Sequence, residues 1–341
     1  MEWKKGMGPL DFSGLSDILL EAPDGDIRPQ SEPYFKATKL ADGVWQVLSD
    51  GDHTYVVEGD DELIVIDAGM GAGNLREFCQ SLCPEKPLYR MLLTHCHGDH
   101  TLNCYQFDAV YMAPETYPKR KCTMVGGVSA PDDYPVVFLH HGDVINLKGR
   151  PLEVLALDEH CKGSLQFLDR KSRILFCGDE LNGNFFDSTI SVEHSFRNLK
   201  QWAALRPYYD LLAAGNDVHD ASYIERYLKI AEYILNGHEN EGVAIYKPHT
   251  TDRIASISEK DGKRVFARRS PKMVGVGFEE KMIEAGYGES LKMNNGHFAF
   301  CFMRKLRPDG PFDRELVMDG AHFCYYLNKI WDKGTEPKYM L

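Results

Sequence analysis

Short strand-like runs open the chain and helical spacing appears only later. Val44-Trp45-Gln46-Val47-Leu48, His53-Thr54-Tyr55-Val56-Val57-Glu58 and Leu63-Ile64-Val65-Ile66 are strand-length runs rich in β-branched and aromatic residues, with a Gly59-Asp60-Asp61 turn before the last. They predict an antiparallel opening. Asn74 to Leu82 then puts Leu75, Phe78 and Leu82 on one helical face, and Leu88 to Leu93 returns as a strand. Further strands are predicted at Ala109-Ala113, Val136-Leu139, Gly142-Leu147, Leu152-Leu157, Gly163-Leu168 and Ile174-Asp179. Two helices follow, Val192 to about Leu205 and Ala221 to about Leu235, the second with Tyr223, Tyr227, Ile230, Ala231 and Ile234 on one face. Beyond them lie Val243-Tyr246, a hairpin from Ile254-Ile257 through Lys260-Asp261-Gly262-Lys263 into Val265-Ala267, a strand at Phe298-Met303 and a helix around His322 to Trp331.

This pattern divides the chain into an N-terminal arm (1–33), a body (34–240) and a C-terminal extension (241–341). The 341 residues, 43% of them hydrophobic, suffice for a large core, while a net charge of −12 without a long basic run argues against a nucleic-acid partner. No stretch approaches the roughly 20 apolar residues of a membrane span. No signal-type apolar core follows the N-terminus, so a cytoplasmic location and no membrane association are expected. Nine cysteines without paired short spacings, except Cys79 to Cys83, indicate neither a disulfide framework nor a zinc finger.

The densest chemistry is Thr94-His95-Cys96-His97-Gly98-Asp99-His100, directly after the apolar Met91-Leu92-Leu93. Imidazoles and carboxylates suit zinc or another first-row divalent ion, and alternate residues of extended backbone point the same way, which lets His95 and His97 share one ion. A single histidine is more often exposed or merely hydrogen-bonded; four ligand-competent side chains in six positions point to metal. The cluster leaves the C-terminal end of a predicted strand, where open α/β sheets place their chemistry.

These residues resemble the His-X-His-X-Asp-His signature of the metallo-β-lactamase-fold hydrolase superfamily. Order and spacing agree from about Tyr34 to Leu235. Ile66-Asp67-Ala68-Gly69 matches the aspartate ending an early strand. Glu159-His160-Cys161-Lys162-Gly163-Ser164 matches the third ligand segment, and Phe176-Cys177-Gly178-Asp179 the bridging aspartate. The resemblance implies an α/β fold, a four-layered αβ/βα sandwich, here with a C-terminal extension. It also implies His95, His97 and His160 on one ion, Asp99 and His100 on a second, and Asp179 between them.

Two positions depart from the family pattern. A final ligand His is expected where this chain has Ala214-Gly215-Asn216-Asp217, so the second ion keeps only Asp99, His100 and Asp179 unless another group reaches it. His219 from the same turn, a C-terminal histidine (His249, His297 or His322), or a single-ion site are the three readings, and proximity favours His219. Asp158-Glu159 stands where Pro-Gly is usual; these carboxylates either support ligands from behind or face solvent. His140-His141 reads as a surface turn, Cys177 as a buried thiol, Cys96 and Cys161 as side chains turned away from the metals, and Asn182 with Phe185-Phe186 as pocket or core.

The expected activity is metal-dependent hydrolysis of a small ester, lactone, thioester or amide by metal-activated water, with Asp99 orienting the water or shuttling its proton. Zinc is the expected cofactor, as one or two ions, with iron or manganese as alternatives. A mononuclear member with oxidative, sulfur dioxygenase-like chemistry, and a metal-binding module without turnover, are the competing readings. A flavin-linked diiron protein is disfavoured because His97 stands where those carry Glu. The partner is a small-molecule substrate, and the last ~100 residues are read as a cap on the cleft or a homodimer contact.

Overall fold

The computed structural model describes residues 19–21, 27–29, 35–48, 53–69, 71, 73–120, 130–183, 185–215, 217–244, 254–260, 263–268, 292–294, 297–301 and 312–332, with side chains described outside 19–29 and 254–301. Most of the N-terminal arm, residues 245–253, the hairpin's central Asp261-Gly262 and His249 lie outside the described residues. The chain divides into two compact units, residues 1–112, 117–138 and 248–310, and residues 113–116, 139–247 and 311–341.

In the first unit a short antiparallel pair, β1 (Leu19–Glu21) and β2 (Ile27–Pro29), precedes a seven-stranded sheet in sequence order. Its strands are β3 (Lys36–Ala41), β4 (Val44–Leu48), β5 (Thr54–Glu58), β6 (Leu63–Ile66), β7 (Leu88–Leu92), β8 (Ala109–Met112) and β9 (Val136–Phe138). The predicted antiparallel opening holds through β6, after which β6, β7, β8 and β9 run parallel. Parallel neighbours require a crossover, and helix α1 (Leu75–Ser81) supplies it between β6 and β7. Asn74 begins the helix for a physical reason: its side-chain oxygen accepts the Glu77 N–H at 3.0 Å while its amide donates back to the Glu77 carboxylate at 2.9 Å. Leu75 and Cys79 bury that helix against Val56, Val65 and Met91 of the sheet.

The second unit holds a six-stranded sheet of β10 (Val144–Asn146), β11 (Pro151–Leu155), β12 (Gln166–Asp169), β13 (Ile174–Gly178), β15 (Leu211–Ala214) and β16 (Val218–Asp220). Helices α3 (Val192–Ala204) and α4 (Tyr223–Tyr233) cover one of its faces, where Leu168, Leu175, Cys177 and Leu212 meet Phe196, Leu199, Trp202, Tyr227 and Ile230. The first unit also contains the four-residue helix α2 (Gly98–Thr101), discussed below.

Part of the C-terminal extension joins this second unit. β14 (Phe185–Asp187) pairs in parallel with β23 (Ala321–Tyr325), which pairs with β22 (Arg314–Met318), itself flanked by β17 (Val243–Ala244). The helix expected around His322 to Trp331 is therefore a strand followed by a single 3-10 turn at Leu327–Lys329. Pairing of β23 with β14 on one side and β22 on the other decides the conformation of this short apolar run, which periodicity alone cannot assign. Phe323 is fully buried and stacks on Phe186 at 5.0 Å. The predicted hairpin is present as β18 (Ile254–Lys260) and β19 (Lys263–Arg268), in one antiparallel sheet with β20 (Lys292–Asn294) and β21 (His297–Cys301). Among the described residues no helix is long and apolar enough to cross a membrane.

Because Phe323 belongs to the same core as α3 and α4, Phe323→Ala is expected to lower the stability of the second unit by about 3–5 kcal/mol. Urea denaturation followed by Trp202 fluorescence checks this. An unmoved Trp202 transition would show that the C-terminal hairpin contributes nothing to that core.

Candidate metal centre

Ligand-competent side chains cluster beyond the end of β7 in the first unit and, in the second, at the edge where β12 begins and β13 ends. In the first unit the register of β6 against β7 (Ile66 opposite Leu92) sets Asp67, one residue past its strand, beside Leu93-Thr94. The Asp67 N–H donates to the Leu92 carbonyl at 2.9 Å, and the Ala68 N–H to the His100 carbonyl at 2.7 Å. Asp67 has a φ of 61°, a left-handed conformation that side chains other than Gly, Asn and Asp seldom adopt. Its buried carboxylate then accepts three hydrogen bonds. Oδ1 takes the Thr94 N–H at 2.8 Å, and Oδ2 takes the Thr94 hydroxyl and His100 Nδ1, each at 2.8 Å.

Proton positions on the two imidazoles follow from this network. A carboxylate only accepts, so neutral His100 carries its proton on Nδ1 and its lone pair on Nε2. The Thr94 hydroxyl donates its proton to Asp67 and accepts from His95 Nδ1 at 3.1 Å, which puts the His95 lone pair on Nε2, facing His97. His95 Nε2 lies 3.0 Å from His97 Nδ1, and the His95 and His100 rings are 4.2 Å apart. Two nitrogens on one tetrahedral zinc are about 3.3 Å apart at ordinary bond lengths, so the separation suits a shared ion. His95 and His100 are buried, His97 is exposed, and Asp99 is half-buried in the first turn of α2, outside the Asp67 network.

The second unit brings His160 and Asp179 together. β12 and β13 are antiparallel, so the loop entering β12 and the loop leaving β13 lie at one edge, and His160 Nε2 stands 3.7 Å from Asp179 Oδ2. Gly163 permits the turn after His160: its φ is 88°, and a Cβ there would sit 2.8 Å from the Glu115 Cβ, while the Thr116 hydroxyl donates to its carbonyl at 3.1 Å.

Glu159, whose sequence context left two roles open, faces inward. Its carboxylate accepts from the Ser195 hydroxyl at 2.7 Å and the Asn198 amide at 2.8 Å, both on α3. Asn198 and His194 also bond the Asp158 carbonyl, each at 3.0 Å. Glu180, next to Asp179, is buried and accepts from the backbone of residues 159–161. Burial pushes the Glu159 carboxyl well above its ordinary range, and burial pushes Glu180 up to about 8 against the pull of those amides.

The remaining candidates separate cleanly. His219, on edge strand β16, lies against Gly183, where a Cβ would collide with its imidazole; among the described residues it joins no group of three ligand-competent side chains. His322 bonds Glu315 at 2.6 Å and packs on Phe185, while His249 and the His297 side chain lie outside the described residues. Cys177 is buried in the core, Cys96 is buried and Cys161 half-buried. Phe186 is core, and Asn182 donates to the Asp179 carbonyl at 3.2 Å. His140 and His141 are exposed in the turn before β10. Sequence reasoning missed Thr94, Glu180, Ser195 and Asn198. They act through backbone and buried polar contacts that no spacing advertises.

A family model for the metallo-beta-lactamase superfamily matches residues 50–238 of this chain. The chain belongs to that superfamily, with its α/β fold, and is an enzyme of the hydrolase class. It is 31% identical to the human "Acyl-coenzyme A thioesterase MBLAC2" over 193 residues, covering 45% of this chain and 69% of that protein. It is 28% identical to the "Probable metallo-hydrolase M6_Spy0554" of Streptococcus pyogenes over 166 residues, covering 44% and 70%. The solved structure of a metallo-beta-lactamase from Pontibacter korlensis aligns with a TM-score of 0.46 and 16% identity, covering 58% of this chain and 99% of that one.

Asp67→Asn tests the tautomer argument without any metal. An amide keeping its oxygen on the Thr94 N–H turns its NH2 toward His100 Nδ1, forcing the His100 proton onto Nε2. The expected result is a switch of His100 tautomer in imidazole 15N spectra of the metal-free protein, with stability lower by about 1–3 kcal/mol from the mismatched buried donors. An unchanged tautomer would contradict the assignment.

Proposed function

We propose that this protein is a metal-dependent thioesterase, cleaving the acyl–sulfur bond of a thioester to a carboxylic acid and a thiol. The observation that supports the metal part is the Asp67–Thr94 network, which orients His95 and His100 with their protons on Nδ1 and their lone pairs on Nε2. The thioester part is supported by the human relative, named an acyl-coenzyme A thioesterase. His95, His97 and His160 are assigned to one ion, Asp99 and His100 to a second, and Asp179 to both, as the superfamily resemblance implies; zinc is the ion proposed.

Held by those residues, a divalent ion would supply Lewis acidity, making hydroxide available near neutral pH and polarising the carbonyl under attack. The chain's own residues do the rest. Asp99, half-buried and outside the Asp67 network, orients the attacking water and takes up its proton. Water oxygen bonds to the acyl carbon, the C–S bond breaks, and the departing sulfur takes the proton held by Asp99 and leaves as the thiol, the other water proton remaining on the acid. Asp67 holds His100 directly and His95 through Thr94. The proposed setting is cytoplasmic, with a small-molecule substrate and no nucleic-acid or membrane partner.

The test is metal analysis together with a panel of acyl-coenzyme A thioesters, simple esters and lactones, with thiol release read by a chromogenic reagent. Turnover of at least one thioester is expected, lost on chelation and regained with zinc. His95→Ala and Asp179→Ala should lose metal and turnover together, with kcat/KM down at least about 1,000-fold. Full activity in metal-free His95→Ala rejects the metal assignment; hydrolysis of esters but of no thioester rejects the substrate class alone.

A further inference from the structure

We infer that Glu180 is a positioning residue for His160, tying the two ligand-bearing loops of the second unit into one piece. The inference rests on the assignment of His160 and Asp179 as metal ligands. Glu180 is 5% exposed and directly follows Asp179. Its Oε2 accepts the N–H of Glu159 at 2.6 Å and of His160 itself at 2.9 Å, and Oε1 faces the Cys161 N–H at 3.4 Å. Its own N–H donates to the Cys177 carbonyl at 3.1 Å, closing the turn that presents Asp179 at the end of β13. One side chain therefore fixes the backbone of the histidine loop from the residue adjoining the aspartate.

The geometry is costly unless it serves something. A carboxyl buried to this degree loses its hydration, and an apolar side chain of similar volume would fill the space without that penalty. Backbone amides at 159–161 also need an acceptor, since a buried N–H left without one costs about 1–3 kcal/mol. Glu180 meets that need at the point where the chain must hold His160 Nε2 within 3.7 Å of Asp179. From the other side, α3 grips the loop through Ser195 and Asn198 on Glu159. The loop is clamped before metal binds, so less conformational freedom is lost when an ion arrives.

Both close backbone bonds fall on a single oxygen, which gives a sharp test. Glu180→Gln keeps that acceptor as its amide oxygen; Glu180→Met keeps the volume and removes it. Zinc affinity of the metal-free protein is measured by competition with a chromophoric chelator, beside His160→Ala as reference. The expected order is wild type close to Glu180→Gln, with Glu180→Met weaker by about 10–100-fold. In metal-free wild type, the His160 and Cys161 amides should exchange with deuterium slowly, and in Glu180→Met fast.

Wild-type affinity in Glu180→Met, or equal loss in Glu180→Met and Glu180→Gln, overturns the inference, because neither follows from an acceptor on one oxygen. Fast exchange of both amides in the metal-free wild type overturns it whether or not the variants fold. If His160→Ala binds zinc as tightly as wild type, the ligand assignment fails and takes this inference with it. If His160→Ala loses zinc and Glu180→Met does not, only the role of Glu180 falls.

Discussion

A single buried carboxylate sets the histidine cluster of the first unit. Asp67 leaves β6 in a left-handed turn, and its two oxygens collect a backbone N–H, a hydroxyl and an imidazole N–H, all from residues 94 to 100. Each bond does separate work. The Thr94 N–H bond fixes where the loop leaves β7, and the hydroxyl bond turns Thr94 into an acceptor for His95. The third fixes the tautomer of His100. Removing the carboxylate leaves several buried donors unmatched at once, a larger loss than any one of these bonds is worth. The turn at Asp67 costs some backbone strain, which the surrounding pairing of Asp67 with Leu92 and of Ala68 with His100 holds in place.

The second unit solves the same problem with different residues. Its ligands flank the antiparallel strands β12 and β13, and buried carboxylates tie their loops to each other and to α3, the crossover between the parallel strands β13 and β15. Glu159 reaches α3, while Glu180 collects the amides of residues 159 to 161. The helix is held in turn by the C-terminal segment. Ser191 caps α3 through the His194 N–H at 3.0 Å and bonds Asp332, Arg197 pairs with Asp332 at 2.5 Å, and the Glu193 N–H donates to the Ile330 carbonyl at 2.9 Å. A contiguous set of packed contacts thus runs from residue 332 to the loop that carries His160. Contiguity shows a mechanical connection; whether the two ends are energetically coupled is a matter for double-mutant cycles.

Much of this was legible in the sequence, and the parts that were not share a cause. Strands β4 to β8 and helices α1, α3 and α4 are written in local periodicity, and their observed limits fall within two residues of the expected ones for Asn74–Leu82 and Val192–Leu205. The His95–His100 cluster is equally local. What the sequence hides is long-range pairing. Residues 321–325 carry an apolar run short enough to suit helix or strand, and pairing with β22 on one side and with β14, more than a hundred residues earlier, on the other makes it a strand. Glu159 and Glu180 look like ordinary surface acids. Their burial follows from the antiparallel turn that folds each inward, and neither spacing nor composition records that turn.

The same register logic bears on the position where the superfamily pattern would place a further histidine. Gly215 and Asp217 flank the tip of the hairpin between β15 and β16, and the Gly215 N–H is bonded to the Gly178 carbonyl at 3.0 Å. Across that hairpin His219 lies opposite Leu212, and paired residues of an antiparallel ladder project to one face. Leu212 points into the core beneath α3 and α4, so His219 is committed to that same face, where Gly183 leaves room for its ring. Bringing His219 to the other face would require a one-residue slip of β16, which would also displace Val218 and break its pairing with Ala213. The ladder thus fixes where a histidine near the final-ligand position in sequence points, onto the face it shares with Leu212 and beside Gly183.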